Sequence, residues 1–239
     1  MARNPRTRNS ISGVATADRL LILLTAFRRG DGAVGLSELA KRTGLVKSTI
    51  MRLAISLERY DLLARLPDGN YRLNAGVLRL AAIYQESLHL ESHVLPVLKR
   101  LVEESRESAA FYIRHGNHRL CLYRVDSPHL LRLHVRPGDM LPMDNSSGAQ
   151  VLRHYGARSR HGTTNGLEVP VYTAGVRDPH TASLAMPVFA EDTELAGALV
   201  LSGPVTRLTI DRAEGLKPKL RARGLELTNA LGGTVPSFG

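Results

Sequence analysis

The chain has 239 residues, 43% of them hydrophobic, which supplies apolar material for one large or two modest cores and excludes wholesale disorder. One cysteine, Cys121, rules out an internal disulfide and fits a reducing cytoplasm, and no run approaches the roughly 18 apolar residues that a membrane span needs. The net charge of +10 is uneven: residues 1–80 hold 14 Lys and Arg against 6 Asp and Glu, while the other 159 hold 18 against 16. Basic charge gathered on the N-terminal part suits a segment that neutralises phosphates.

Residues 1–13 form a polar, basic arm with Arg3, Arg6 and Arg8 and without the apolar stretch of a secretory signal. Ala17 to Arg29, carrying Leu20, Leu21, Leu23, Leu24 and Phe27, predicts a first helix that stops at Gly30-Asp31-Gly32. Leu36 to Leu73 then reads as helix, tight turn, helix and hairpin, the pattern of a winged helix-turn-helix. Ser37 is a good N-cap for the first of these helices, and Gly44 stands where a left-handed C-terminal residue is wanted. In the second helix Ile50, Leu53 and Leu57 make the apolar stripe and leave Lys47, Ser48, Thr49 and Arg52 off it. The hairpin pairs Leu62–Leu66 with Asn70–Leu73 around Pro67-Asp68-Gly69.

The head thus spans residues 14–75. Residues 76–90 read as a linker helix with apolar Leu78, Leu80, Ala81 and Tyr84, and residues 91–239 as a second domain. A longer helix over Leu90–Arg106 opens that domain, with Pro96 tolerated near its start. Strands are expected over Ala109–Arg114, Arg119–Val125 and Leu130–Val135, then a helix over Ser147–Tyr155 and a loop over Arg158–Gly166. Two further strands, Ser183–Phe189 and Leu195–Ser202, precede a C-terminal helical region, Thr209–Leu231, whose second segment Pro218 starts. Antiparallel hairpins bracketed by helices make an α+β domain of sensory type, not a doubly wound one.

Taken together these residues resemble the isocitrate lyase regulator (IclR) family of bacterial transcription factors, from about Ala15 to Leu231. The resemblance rests on Gly44-Leu45-Val46-Lys47-Ser48-Thr49-Ile50-Met51-Arg52-Leu53, Asn70-Tyr71-Arg72-Leu73 and Arg124-Val125-Asp126-Ser127-Pro128. It continues through Leu141-Pro142-Met143, Arg177-Asp178-Pro179, Ala185-Met186-Pro187-Val188-Phe189 and Ala198-Leu199-Val200-Leu201-Ser202-Gly203-Pro204. It implies two α+β domains, a winged helix-turn-helix joined by a linker helix to a GAF-like effector-binding domain. Val46 stands where the family has proline, Ala149-Gln150 replace a glycine and a basic residue, Val176 replaces a common glutamate, and the stretch from Leu152 to Tyr172 is shorter.

For DNA the candidates are Lys47, Ser48, Thr49 and Arg52 on the second helix, with Arg65 and Arg72 on the wing. A lysine and hydroxyls at a helix start suit phosphate, and an arginine one turn in suits guanine. The competing reading is that Ser48 or Thr49 caps the helix and Arg52 pairs with Glu58 or solvent. For an effector, the resemblance points to Ser146, Ser147 and Gly148 at a strand-to-helix junction, Thr173, Ser183 and Ser202 on later strands, and Leu130 and Leu133 as an apolar wall. Hydroxyls at a helix N-terminus suit the carboxylate of a small organic acid.

No Gly-x-Ser-x-Gly elbow, Walker loop or dinucleotide fingerprint is present, so no enzyme and no cofactor is expected. His89-Leu90-Glu91-Ser92-His93 lacks the acid directly after its first histidine that a metalloprotease helix carries, and a lone cysteine does not suit structural zinc. The expected protein is a cytoplasmic regulator that binds a double-stranded operator as a dimer or tetramer and answers to a small-molecule effector. The alternative is a winged-helix interaction protein with a ligand-free sensory domain.

Overall fold

The structure, a computed structural model, describes residues 13–156 and 167–234, the side chain of Asp192 excepted. The expected arm and the loop expected over Arg158–Gly166 lie outside the described residues, apart from Gly13 in the arm. The chain divides into two compact units, one up to Ser87 and one from Leu88.

In the first unit α1 (Ala15–Leu24), α2 (Leu36–Thr43) and α3 (Lys47–Arg59) pack around Leu23, Leu39, Ile50, Leu57 and Leu63, all fully buried. Each such side chain contributes about 1.5–3 kcal/mol by leaving water. The wing pairs β1 (Leu63–Arg65) with β2 (Tyr71–Leu73), and a single bridge from Val34 to Tyr71 adds a third strand position. That bridge moves the start of α2. The chain leaves the bridge at Val34, so Gly35 in extended conformation, not Ser37, is the N-cap. α1 also ends earlier than expected. The Thr25 hydroxyl folds back onto the Leu21 carbonyl at 2.8 Å, and Arg42 of α2 takes the Ala26 carbonyl that a longer helix would use. Arg42 also pairs with Asp31 at 2.5 Å and Glu38 at 2.9 Å, so one guanidinium ties α2 to the turn after α1.

α4 (Ala75–Ser87) closes this unit. Its second residue, Gly76, is buried against the turn after α3, where its N–H donates to the Asp61 carbonyl at 2.8 Å. Asp61 itself has φ +62°, and its carboxylate accepts from Asn74 Nδ2 at 2.6 Å and Arg79 at 3.2 Å.

The second unit is a six-stranded antiparallel sheet in the order β5-β4-β3-β8-β7-β6. The strands are β3 (Ser108–His115), β4 (His118–Val125), β5 (Met140–Pro142), β6 (Val171–Ala174), β7 (Thr181–Phe189) and β8 (Leu195–Pro204). α5 (Glu91–Ser105) and α7 (Ile210–Ala230) pack together on one face, and α6 (Ser147–Gly156) packs on β7 and β8 from the other. Strand alternation divides the residues: Met186 meets α7 at Gly224, while Ser183 and Val200 meet α6 at Ser147 and Gly148.

Two readings of this unit need correction, and two short strands had no reading in the sequence pattern. No strand forms over Leu130–Val135; the outer edge of β4 is met instead by Gly138 and Asp139, which exchange bonds with Cys121, and then by β5. The edge strands β5 and β6 are too short to show an alternation. α7 runs unbroken through Pro218, because Pro218 is exposed and water can serve the carbonyl that it leaves free.

Candidate functional site

The head presents a surface before it presents a pocket. Gly44 has φ +71° and its N–H bonds the Ala40 carbonyl at 2.9 Å, which turns the chain sharply from α2 into α3. The N-cap of α3 is Val46, with no side-chain cap bond, so neither Ser48 nor Thr49 is used as a cap. Lys47, Ser48 and Arg52 are exposed and Thr49 half-buried. Among the described residues no ion pair involves Lys47 or Arg52, so Arg52 does not pair with Glu58 and faces solvent. On the wing, Arg65 lies with its guanidinium carbon 6.0 Å from the centre of the Tyr71 ring, and Arg72 is exposed opposite Ala64.

The same exposed face of α3 holds two residues that stripe counting missed. Met51 is 41% and Ile55 60% exposed. A search for polar side chains off the buried stripe passes over them because they are apolar.

In the second unit a cavity of about 490 Å³, counted out to its open mouth, lies between the sheet and the start of α6. Leu133, Ser146, Gly148, Thr173, Ser183 and Ser202 line it, as the resemblance implied. Two expected members do not. Leu130 is 97% exposed on the irregular segment before Leu133, and Ser147 is fully buried behind the wall. Ser147 organises that wall: its N–H donates to Thr173 Oγ1 at 2.9 Å and its hydroxyl to Ser183 Oγ at 2.7 Å, with Thr173 and Ser183 hydroxyls 3.2 Å apart. The first amide of α6 is therefore already satisfied, which leaves one N–H group fewer at this helix terminus than was expected of it.

Arg119 on β4 supplies a buried cation to the same cavity. It lines the cavity while only 5% exposed. Its Nη1 donates to Asp144 Oδ1 at 3.0 Å and to the Ser146 hydroxyl, and its guanidinium carbon lies 5.8 Å from the centre of the Tyr112 ring. Burial pushes the Asp144 carboxyl up, but the Ser146 hydroxyl and amide together with Arg119 outweigh it and hold the group below the usual carboxylate range. Asp144 is thus a fixed anion that orients Arg119 and Ser146. Burial pushes the Tyr112 phenol up to about 12, so Tyr112 is a neutral wall. Arg177 and Val176 complete one side and Val135, Leu141 and Val200 the apolar part; among the described residues no Asp or Glu lines the cavity. Gly148 brings backbone close to the sheet, since a Cβ there would meet Val200 at 3.1 Å. Arg119 carried one signal in the sequence: a charge directly beside the apolar run Leu120-Cys121-Leu122.

Among the described residues no group of three or more His, Cys, Asp or Glu is placed to hold a metal ion, and no helix is long and apolar enough to cross a membrane.

The IclR helix-turn-helix domain matches residues 16–67 of this chain. The transcriptional repressor IclR of Escherichia coli (strain K12) is 27% identical, over 92% of this chain and 91% of its own length. The solved structure of a putative IclR transcriptional regulator from Silicibacter sp. is 26% identical with a TM-score of 0.73, over 93% of this chain and 98% of that one. An IclR homologue from Microbacterium hydrocarbonoxydans, solved in complex with 4-hydroxybenzoate, shares the fold at 20% identity and a TM-score of 0.74, over 91% and 99% of the two chains. With the turn at Gly44, the open face of α3 and the wing in place, the chain carries an IclR helix-turn-helix domain over residues 16–67 and is a DNA-binding transcriptional regulator, similar over nine-tenths of its length to IclR-family proteins.

Proposed function

We propose that the operator affinity of this regulator is set by a small organic acid bound in the cavity between the sheet and α6. The observation that carries the reading is Arg119, a buried guanidinium held in place by Asp144 in a cavity that no acidic residue lines among the described residues. A carboxylate placed there gains a charge-assisted hydrogen bond, worth about 1.5–3 kcal/mol. Ser146, Thr173, Ser183 and Ser202 fix its orientation, and Leu133 and Val200 cover the carbon skeleton. The relative with bound 4-hydroxybenzoate supports an acid of this general size.

On DNA, Lys47 and Ser48 hold phosphate at the start of α3, Arg52 reads a base, and Arg65 and Arg72 meet the backbone beside the groove. The acting species is a dimer, for which Leu21 and Ile22 of α1 and Leu78, Leu80, Ile83 and Tyr84 of α4 offer exposed apolar surface. The acid can shift DNA affinity only by the difference between its own affinities for the two DNA-binding states.

Isothermal calorimetry of the full chain against a panel of small aliphatic and aromatic acids tests the site. A binding acid should lose about 10–100-fold in affinity on Arg119→Leu, the span matching that hydrogen-bond energy. An acid that binds the variant equally well removes Arg119 from the site.

A further inference from the structure

We infer that Met51 and Ile55 read thymine methyl groups, so that the operator carries thymine at the base pairs facing the middle of α3. The inference rests on the chain being a DNA-binding regulator and not on the acid site, so the two can fail separately.

At about 100° per residue, the buried residues of α3, Ile50, Leu53, Ala54 and Leu57, occupy one arc of the helix. Ser48 and Ile55 fall near the centre of the opposite arc, with Met51 and Arg52 on either side, each roughly 40° away. Thr49 lies at the border with the buried arc, which is why it is half-buried. The face that a groove would meet is therefore amphipathic along its length, with Met51 and Ile55 41% and 60% exposed beside the cation of Arg52.

Charge selects the occupant of that face. Lys47 starts it and Arg59 ends it, residues 47–57 include no acidic side chain, and the N-terminus of α3 carries the positive end of the helix dipole. A protein partner seeking the two apolar side chains would have to accommodate these cations, whereas a DNA major groove brackets its bases with phosphates. Within the groove the C5 methyl of thymine is the apolar group that distinguishes one base pair from another. Met51 is unbranched and adaptable, while Ile55 is stiff at χ1, so Ile55 is the stricter reader.

The test takes the full-length protein and a duplex selected by it from a random-sequence library, then replaces each thymine singly by deoxyuracil, which deletes only the methyl. Fluorescence anisotropy should show one or two positions in each half-site where wild-type affinity falls about fourfold, the change that corresponds to roughly 0.8 kcal/mol for one buried methyl. Met51→Ala or Ile55→Ala should bind the thymine and uracil duplexes alike at the matching position. Arg52→Ala should keep the methyl preference while losing discrimination elsewhere. Both residues are exposed, so thermal unfolding of the two variants should match wild type. The inference is overturned if no position is methyl-sensitive, if the variants keep the methyl preference, if the library enriches no sequence, or if either substitution changes the oligomeric state instead.

Discussion

Replacing Gly76 by alanine should destabilise the N-terminal unit, although alanine is the better helix former. Gly76 lies inside α4, and the gain in helix propensity is about 1 kcal/mol. Against it, a Cβ at this position would sit 2.6 Å from the Asp61 carbonyl oxygen and 2.9 Å from the Tyr60 oxygen. Carbon–oxygen contacts ordinarily begin near about 3.3 Å, so α4 must move away by more than half an ångström. Overpacking of this kind costs about 1–3 kcal/mol, and the 2.8 Å bond from the Gly76 N–H to Asp61 stretches with it, losing up to about 1 kcal/mol more. The net loss is up to about 3 kcal/mol and centres near about 1.5, and each kcal/mol lowers the transition of a unit this size by about 4–8 °C. Calorimetric unfolding of the full chain, with hydrogen exchange on α3 peptides to assign the transition, measures it. Gly215 in α7 is the control, because it is exposed and a Cβ there meets nothing within 4 Å. Gly215→Ala should stabilise by about 0.5–1 kcal/mol. A Gly76→Ala protein as stable as wild type, or one that follows the Gly215→Ala variant upward, would refute the close approach.

The second unit rests on a buried ion pair. Glu107 is fully buried, and both its oxygens accept from Arg207, at 2.6 and 2.8 Å. Glu107→Ala leaves Arg207 without its anion and should lower stability in urea unfolding by about 3 kcal/mol; a loss under about 1 kcal/mol would mean water replaces the pair freely. In the head, hydrogen bonds from Arg42 and the Arg28 amide hold the Asp31 carboxyl below its ordinary value of 3.8. A carboxyl depressed by folding adds stability that is complete above about pH 4 and fades as the pH falls through its folded value. Asp31→Asn should therefore be the less stable protein at pH 7, with the gap to wild type closing as the pH falls below about 4 in acid unfolding. A gap that is constant across that range would place the effect elsewhere.

The parts of the fold legible in the sequence are those set by local chemistry. Gly44, the Asp68-Gly69 tip, the stripe of α3 and the long strands β7 and β8 each carry their signal within a few residues. What was not legible depends on partners distant in the chain. Ser37 is a good cap by its own chemistry, yet Val34 pairs with Tyr71 and so decides where α2 starts. Leu130–Val135 has the composition of a strand, but its carbonyls are held by Arg124 at Leu133 and by Arg207 at Leu131, and it stays irregular. Of the cavity, the hydroxyls came from the resemblance. Arg119 did not, because only the fold shows that a charged strand residue is turned inward and paired with Asp144, 25 residues away in the chain. Met51 and Ile55 are apolar like the stripe, and only the buried arc of α3, filled by others, shows that they stay exposed.

The central claim is that an acid in the cavity lined by Arg119 controls DNA binding by the head. Fluorescence anisotropy of the full-length protein on its selected duplex, with and without the acids that give heat in calorimetry, tests it most directly. At least one such acid should shift the wild-type affinity by about 5–150-fold, while Arg119→Leu binds the duplex like wild type and ignores the acid. If no acid that binds the cavity alters DNA affinity, or if Arg119→Leu responds as wild type does, the claim is wrong.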